Sequence, residues 1–193
     1  MSIFTNIGKF NPGWKFTIFT AFILPILLSL SFWQYQRGLE KSKLESFINN
    51  QQTKPPTEFI SLEYASPSQW YRPFFMQGEF SKKTVLVDNA IYEGVRGFSV
   101  YQEFLSNNGL SLLVSKGWSN SFDNSKKTLN QNYLLQGVFR PIEKAFTIDN
   151  SIYEREESDL EMQSFDIDSI NLKWNTNFPA VVFELDEFSL DGF

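Results

Sequence analysis

KFTIFTAFILPILLSLSFWQYQR, Lys15 to Arg37, is the stretch on which the architecture turns, because 21 residues between its two charges carry no formal charge. At about 1.5 Å per helical residue that length spans roughly 30 Å, the thickness of a bilayer's hydrocarbon layer. Ile18 to Leu30 is almost wholly apolar, while Trp14 on one side and Trp33 and Tyr35 on the other match the aromatic belts found at headgroup depth. Pro25, near the middle, is tolerated in such a helix. The reading is a membrane helix over 16–36 behind a short flank, 1–15. A cleaved signal peptide competes, with Ser29 and Ser31 as the small residues before the cut. The run exceeds the 7 to 15 residues of a signal's apolar region, which favours the anchor. A mitochondrial transit peptide fits poorly, since no Arg precedes Arg37. Positive charges on both flanks, Lys9 and Lys15 against Arg37, Lys41, Lys43 and Lys54, leave the orientation open.

Beyond Arg37 a helical period continues through Leu39, Leu44, Phe47 and Ile48 until Thr53-Lys54-Pro55-Pro56 stops it, so 37–56 reads as a helical stalk and linker. From 57 to 193 the pattern changes to short runs of Val, Phe, Tyr and Leu broken by Gly, Asn, Ser and Pro. These predict strands near Tyr71–Phe80, Lys83–Asp88, Gly97–Leu105, Leu110–Lys116, Tyr133–Arg140, Ala145–Ile148 and Phe178–Leu185. Asn107-Asn108-Gly109 has the composition of a hairpin turn. The fold class expected is mainly β, α+β: an N-terminal transmembrane helix, then an antiparallel, barrel-like β domain with a short acidic helix.

Phe75-Met76-Gln77-Gly78-Glu79-Phe80 and Leu134-Leu135-Gln136-Gly137-Val138-Phe139 share one pattern, and a glycine inside a strand marks a bulge or a close approach of backbones. Coincidence in a Phe-rich chain is the other reading. Between Tyr153 and Asp168 seven residues are acidic, and Ser158-Asp159-Leu160-Glu161 has the spacing of a capping box opening a helix. A solvated face is the first reading of these carboxylates, because the ordered Asp/Asn/Gly spacing of a Ca²⁺ loop is missing.

The chain has 193 residues, no Cys and no His. That excludes disulfides, thiolate catalysis, zinc fingers, Ser-His-Asp triads and His-ligated haem within it. Residues 38–193 hold 14 basic and 22 acidic residues, a net charge of −8 that repels nucleic acid. No catalytic residue and no metal ligand set is predicted.

Several segments, in order, resemble the surfeit locus protein 1 family, membrane proteins that assist cytochrome c oxidase assembly. Trp33-Gln34-Tyr35-Gln36-Arg37 with Lys41 resembles that family's Trp-Gln-x-x-Arg-x-x-x-Lys. Tyr71-Arg72-Pro73 leading to Gly78-Glu79-Phe80, and Val85 to Asn89 with Gly94, Gly97 and Phe98, resemble its first strand and its Asn…Gly-x-x-Gly-aromatic segment. Leu112 to Trp118 resembles Leu-Val-Asn-Arg-Gly-Trp, and Gln136-Gly137-Val138-Phe139-Arg140 its second Gly strand. Read physically, Trp33, Arg37 and Lys41 form one stripe at the bilayer edge. Asn89, Gly94 and Gly97 read first as turn residues free to adopt positive φ. Gly117 and Trp118 end an apolar strand where a large ring closes one mouth of a barrel or lies against the bilayer, and core packing weighs at least as much as a partner surface.

Three departures stand out: Ser115-Lys116 replaces Asn-Arg and loses the planar fork of Arg; no second apolar span follows; and the His implicated in haem a binding is missing. The resemblance implies a non-enzymatic assembly factor in a bacterial inner membrane, its β domain periplasmic. Its partners would be the lipid bilayer, an oxidase subunit, subunit I first, and haem-delivery machinery. Haem a enters only through the resemblance. Contact candidates are Trp33, Gln34, Arg37, Lys41, Tyr71, Gly78, Asn89, Gly94, Gly97, Lys116, Gly117, Trp118 and Gly137. Two other readings compete: a truncated or degenerate member that folds without handling haem, and an anchored hydrolase using carboxylates such as Glu157 and Asp166.

Overall fold

A computed structural model describes residues 13–120, 131–142, 152–156 and 158–186, with the side chains of 89, 155 and 156 left aside. The chain divides into two compact units, Met1–Phe47 and Ile48–Phe193. Helix α1, Trp14–Gln52, runs unbroken through Pro25 and contains a segment long and apolar enough, by length and composition, to cross a membrane. Its last turn belongs to the second unit. There the buried Gln51 donates to the Ser68 carbonyl (2.7 Å), and Lys54 donates to Gln51 Oε1 (2.7 Å).

The second unit holds β1 (Thr57–Glu58), 3₁₀ turns at Leu62–Ala65 and Pro67–Gln69, β2 (Pro73–Tyr92), β3 (Val95–Ser106) and β4 (Ser111–Ser119). β5 (Asn132–Pro141), β6 (Tyr153–Glu156), β7 (Asp159–Met162), α2 (Ile167–Trp174) and β8 (Val181–Leu185) complete the described elements. β2, β3, β4, β8 and β5 pair in turn, and β5 returns to β2, so these strands close into a ring; β7 and β6 extend from β2. The predicted strand at Ala145–Ile148 lies outside the described residues.

The two separate runs read at Tyr71–Phe80 and Lys83–Asp88 are one strand. Between Phe80↔Phe104 and Thr84↔Gln102 only Glu103 faces Ser81, Lys82 and Lys83, so the break in the sequence pattern is a bulge that bends β2. Ser81 Oγ (2.6 Å) and Ser111 Oγ (2.7 Å) donate to the two carboxylate oxygens of buried Glu103, with Lys83 Nζ 3.6 Å away. Three polar partners supply what a buried carboxylate loses on leaving water.

Both faces of the sheet are covered, which explains Leu112-Leu113-Val114. Leu112 and Val114 point into the ring with Phe59, Phe74, Phe80, Phe104, Phe139 and Phe183; Leu113 points outward to a second core of Val85, Leu160, Met162, Ile170, Phe178 and Val182. A continuous apolar run is what a strand buried on two faces requires.

The sheet is mixed rather than antiparallel throughout, since β1–β2, β2–β7 and β4–β8 run parallel. The capping-box reading of Ser158-Asp159-Leu160-Glu161 is corrected too: Asp159–Met162 is β7, lying along Thr84–Val87. Leu160 and Met162 alternate into the second core, and the Thr84 amide donates to the Ser158 carbonyl (2.9 Å), so burial at period two overrides the local cap signal. The short helix begins at Ile167 and ends at Asn175 in the left-handed conformation (φ 49°).

Asn171 ties that helix to the segment leading into β8. Its side chain accepts from the Phe178 amide (2.7 Å) and from Thr176 Oγ1 (3.1 Å), and donates to the Phe178 carbonyl (3.1 Å). Asn171→Ala is expected to cost about 2 kcal/mol by leaving those groups unpaired, measured as a lower urea midpoint with unchanged slope.

Candidate functional site

The sequence-predicted residues fall into three places. Gly94, Gly97 and Trp118 meet at the far end of β2, with Asn89 inside β2 at the register shift between Val87 and Ala90, while Gly117, opposite Val100, and Lys116 lie further back along the same strands, level with Val85 and Leu86. Tyr71, Gly78 and Gly137 lie at the β2–β5 end. Trp33, Gln34, Arg37 and Lys41 are exposed on α1, with Arg37 5.6 Å from the Trp33 ring centroid, a cation–π pair.

At the far end of β2 the strand reverses over two residues. Tyr92 pairs with Val95 across Glu93 (φ 49°) and Gly94 (φ 78°), the double positive φ of a type I′ turn. Gly94 suits that position. Glu93 does not: a left-handed non-glycine residue costs about 1–2 kcal/mol, and Asn, Asp or Gly is the usual occupant. Gly97 sits in extended ladder opposite Ala90, not in a turn; its lack of a side chain makes room for Trp118, whose ring carbons lie 2.6 Å from where a Cβ would stand.

Trp118 braces the tip. Its indole Nε1 donates to the Ala90 carbonyl (3.0 Å) and its ring lies 5.6 Å from that of Tyr92. Gly117 (φ 87°) falls at the β4 register shift between Val100 and Tyr101. Arg96 and Asp88 pair across the hairpin at 2.7 Å, and the hydrogen bond to Asp88 raises the already high pKa of Arg96. Outside this bracing Ile91 is 74 % exposed, and Val95 and the outer side of Tyr92 are also in water.

The bulge at Gly117 turns Lys116 inward, to 5 % exposure. Its ammonium donates to Gln102 Oε1 (3.0 Å) and lies 5.2 Å from the Phe80 centroid; Gln102 Nε2 donates in turn to the Ser81 carbonyl (2.7 Å). Desolvation lowers the lysine from the ordinary 10.5 to about 8. A pKa lower in the fold than in the unfolded chain means the unfolded chain holds the extra proton between the two values, so this group's contribution to stability rises with pH across that window. Burial raises Tyr101, with the Glu184 charge adding to the shift, and this works in the opposite direction above its ordinary value of 10.0. Between pH 8 and 10 the wild type is therefore expected to gain stability relative to Lys116→Met, read as a rise in the wild-type-minus-variant difference in Tm.

The other group serves strand pairing. The two echoing segments lie side by side, with Phe74 opposite Gly137 and Gly78 opposite Tyr133. A Cβ on Gly78 would strike the Leu105 carbonyl, and one on Gly137 the Glu184 carbonyl. Tyr71 holds positive φ (65°) while its amide donates to the Phe139 carbonyl (3.0 Å).

An open cleft of about 670 Å³ lies beside this end, lined in part by Lys54, Pro56, Gln136, Arg140 and Asp186, with Arg140 and Glu184 in contact as an ion pair. No group of three metal-ligating side chains occurs among the described residues. Glu154 pairs with Lys173 (2.7 Å) and Asp166 accepts from Ser169 (2.7 Å), so these members of the acidic run have structural partners. Glu157 lies outside the described residues.

The SURF1 family model matches residues 21–191, the greater part of the apolar helix and the body together. The chain belongs to the SURF1 family. Membership is consistent with a role in cytochrome c oxidase assembly, and SURF1 proteins are assembly factors rather than enzymes. No curated protein matches the sequence at a significant level.

Haem a, the group the family brings to mind, finds no evident axial ligand here. His and Cys are missing from the sequence, Met76 and Met162 are packed within the two closed cores at 1 % exposure, and Lys116 is committed to Gln102. The cleft residues include no Met or Tyr. The described cleft offers none of the His, Cys, Met or Tyr side chains that usually ligate haem iron, so its lining does not fit haem ligation.

Sequence reasoning missed Glu93, Ile91 and Tyr92, although Tyr92-Glu93-Gly94-Val95, flanked by strand-forming runs, carries the signal of a two-residue turn. It also missed Gln102 and Glu103, for which no sequence signal existed.

Proposed function

We propose that this SURF1 protein is a single-pass, membrane-anchored assembly factor of a haem-copper oxidase that works by holding another polypeptide. In this reading residues 16–36 cross the inner membrane of a bacterium, 37–56 form the stalk, and 57–193 act on the periplasmic side. The partner is a maturing oxidase subunit, subunit I first, with the haem-delivery machinery acting on it at the same time. The motif residues at the β2–β3 hairpin, on the Gly strands and along the Trp33–Lys41 stripe would supply the contacts.

The observation that carries the reading is the family match running from the apolar helix through the body. Two features support contact rather than chemistry: the poor fit of the cleft lining to haem, and the braced hairpin that leaves apolar side chains in water.

Purification of the intact chain from membranes tests it. An oxidase subunit is expected to come with the protein, and deletion of the gene is expected to lower the amount of assembled oxidase. Recovery without any oxidase subunit, together with unchanged oxidase content on deletion, overturns the reading. Release of the protein by alkaline carbonate overturns the anchor, and a cytoplasmic signal from a reporter fused after Phe193 overturns the periplasmic placement.

A further inference from the structure

The β2–β3 hairpin tip combines features that local stability does not call for. Its apex is an acid, Glu93, held in left-handed backbone where Gly or Asn fits better, and backbone strain of this kind collects at functional positions. Next to the apex Ile91 is 74 % exposed, with Tyr92 and Val95 beside it, a set of apolar side chains on a turn that solubility alone would make polar. The tip is braced by contacts within the chain itself: Trp118 holds the Ala90 carbonyl and lies against Tyr92, and Asp88 pairs with Arg96. Bracing of this kind reduces the ordering cost of binding.

We propose that this tip is a plug that docks into an apolar socket, rimmed by Lys or Arg, on another polypeptide. The charge selects that occupant. Asp88 and Arg96 cancel, so the tip carries the net negative charge of Glu93 on a body of net charge −8. An anionic lipid surface and a second copy of this chain both repel it, whereas a basic rim attracts Glu93 while the socket covers Ile91 and Val95. The inference rests on the reading that the protein works by holding another polypeptide, and it specifies the surface and the chemistry of that contact.

The test places the photocrosslinker p-benzoylphenylalanine at Ile91 of the full chain in its native membranes, with the same substitution at exposed Leu172 on α2 as a control. The expected result is a protein adduct specific to position 91, whose crosslinked peptide, sequenced by mass spectrometry, joins apolar residues to Lys or Arg. Adding Glu93→Lys is expected to lower that adduct at least about tenfold, while Glu93→Asn keeps the Tm of the body or raises it and also weakens the adduct. Adducts with lipid alone, adducts between copies of this chain, or a protein adduct unaffected by Glu93→Lys in a variant that melts like the parent each overturn the proposal. An adduct to a polypeptide outside the oxidase keeps the plug and overturns the oxidase role; oxidase adducts at Leu172 but not at Ile91 do the reverse.

Discussion

Phe139→Ala is expected to bring the body close to unfolding at 37 °C, with a loss of about 3–5 kcal/mol. Phe139 is fully buried on β5, with its ring centroid 4.9 Å from Phe59, 5.6 Å from Phe74 and 5.0 Å from Phe183. Those rings arrive on four separate segments, namely the β1–3₁₀ connection, β2, β5 and β8, so truncating the central one removes contacts that close the ring of strands. The space left is walled by rigid aromatic rings that cannot easily collapse into it. Thermal unfolding of the full protein in detergent, followed by tryptophan fluorescence, measures the loss. A Tm drop no larger than that of Phe139→Leu would show that the ring is peripheral to the core.

Gly78→Ala is expected to cost about as much, roughly 3 kcal/mol, although it adds only one methyl. The obstacle is main chain: the new carbon would meet the Leu105 carbonyl and lie 2.8 Å from the Ser106 Cα, and neither can rotate away. β2 would have to leave β3 at the place where it also pairs with β5. Gly94→Ala provides the contrast. Its surroundings are open and only its positive φ resists, so it is expected to cost about 1 kcal/mol. Equal melting temperatures for the two variants would contradict the close approach of β2 and β3.

The apolar runs of β3, β4, β5 and β8 and the turn at Gly109 (φ 77°) were legible because side-chain period and turn chemistry act within a few residues. What could not be read depends on neighbours distant in sequence. A parallel partner for β7 is such a case: Ser158 to Glu161 satisfies a local helix-start rule, and only the second core explains why Leu160 and Met162 prefer a strand. Gln102 and Lys116 are another, since polar residues in a half-buried strand are expected to face water, yet the bulges at Ser81–Lys83 and Gly117 turn them inward against each other. The motif glycines were visible as residues, but their jobs differ: Gly94 supplies an angle, whereas Gly78, Gly97 and Gly137 supply space. The hairpin tip was partly visible, and only the exposure of Ile91 and the strain at Glu93 set it apart from an ordinary turn.

β2 belongs to both cores and ends in the tip. Along its twenty residues it is hydrogen-bonded to β5, β3 and β7 in succession. A pull applied at Tyr92 along the strand must therefore slide many bonds at once instead of unzipping them singly. The geometry makes the hairpin a stiff handle: force applied at the tip is shared along the whole of β2 through the ladders on its edges.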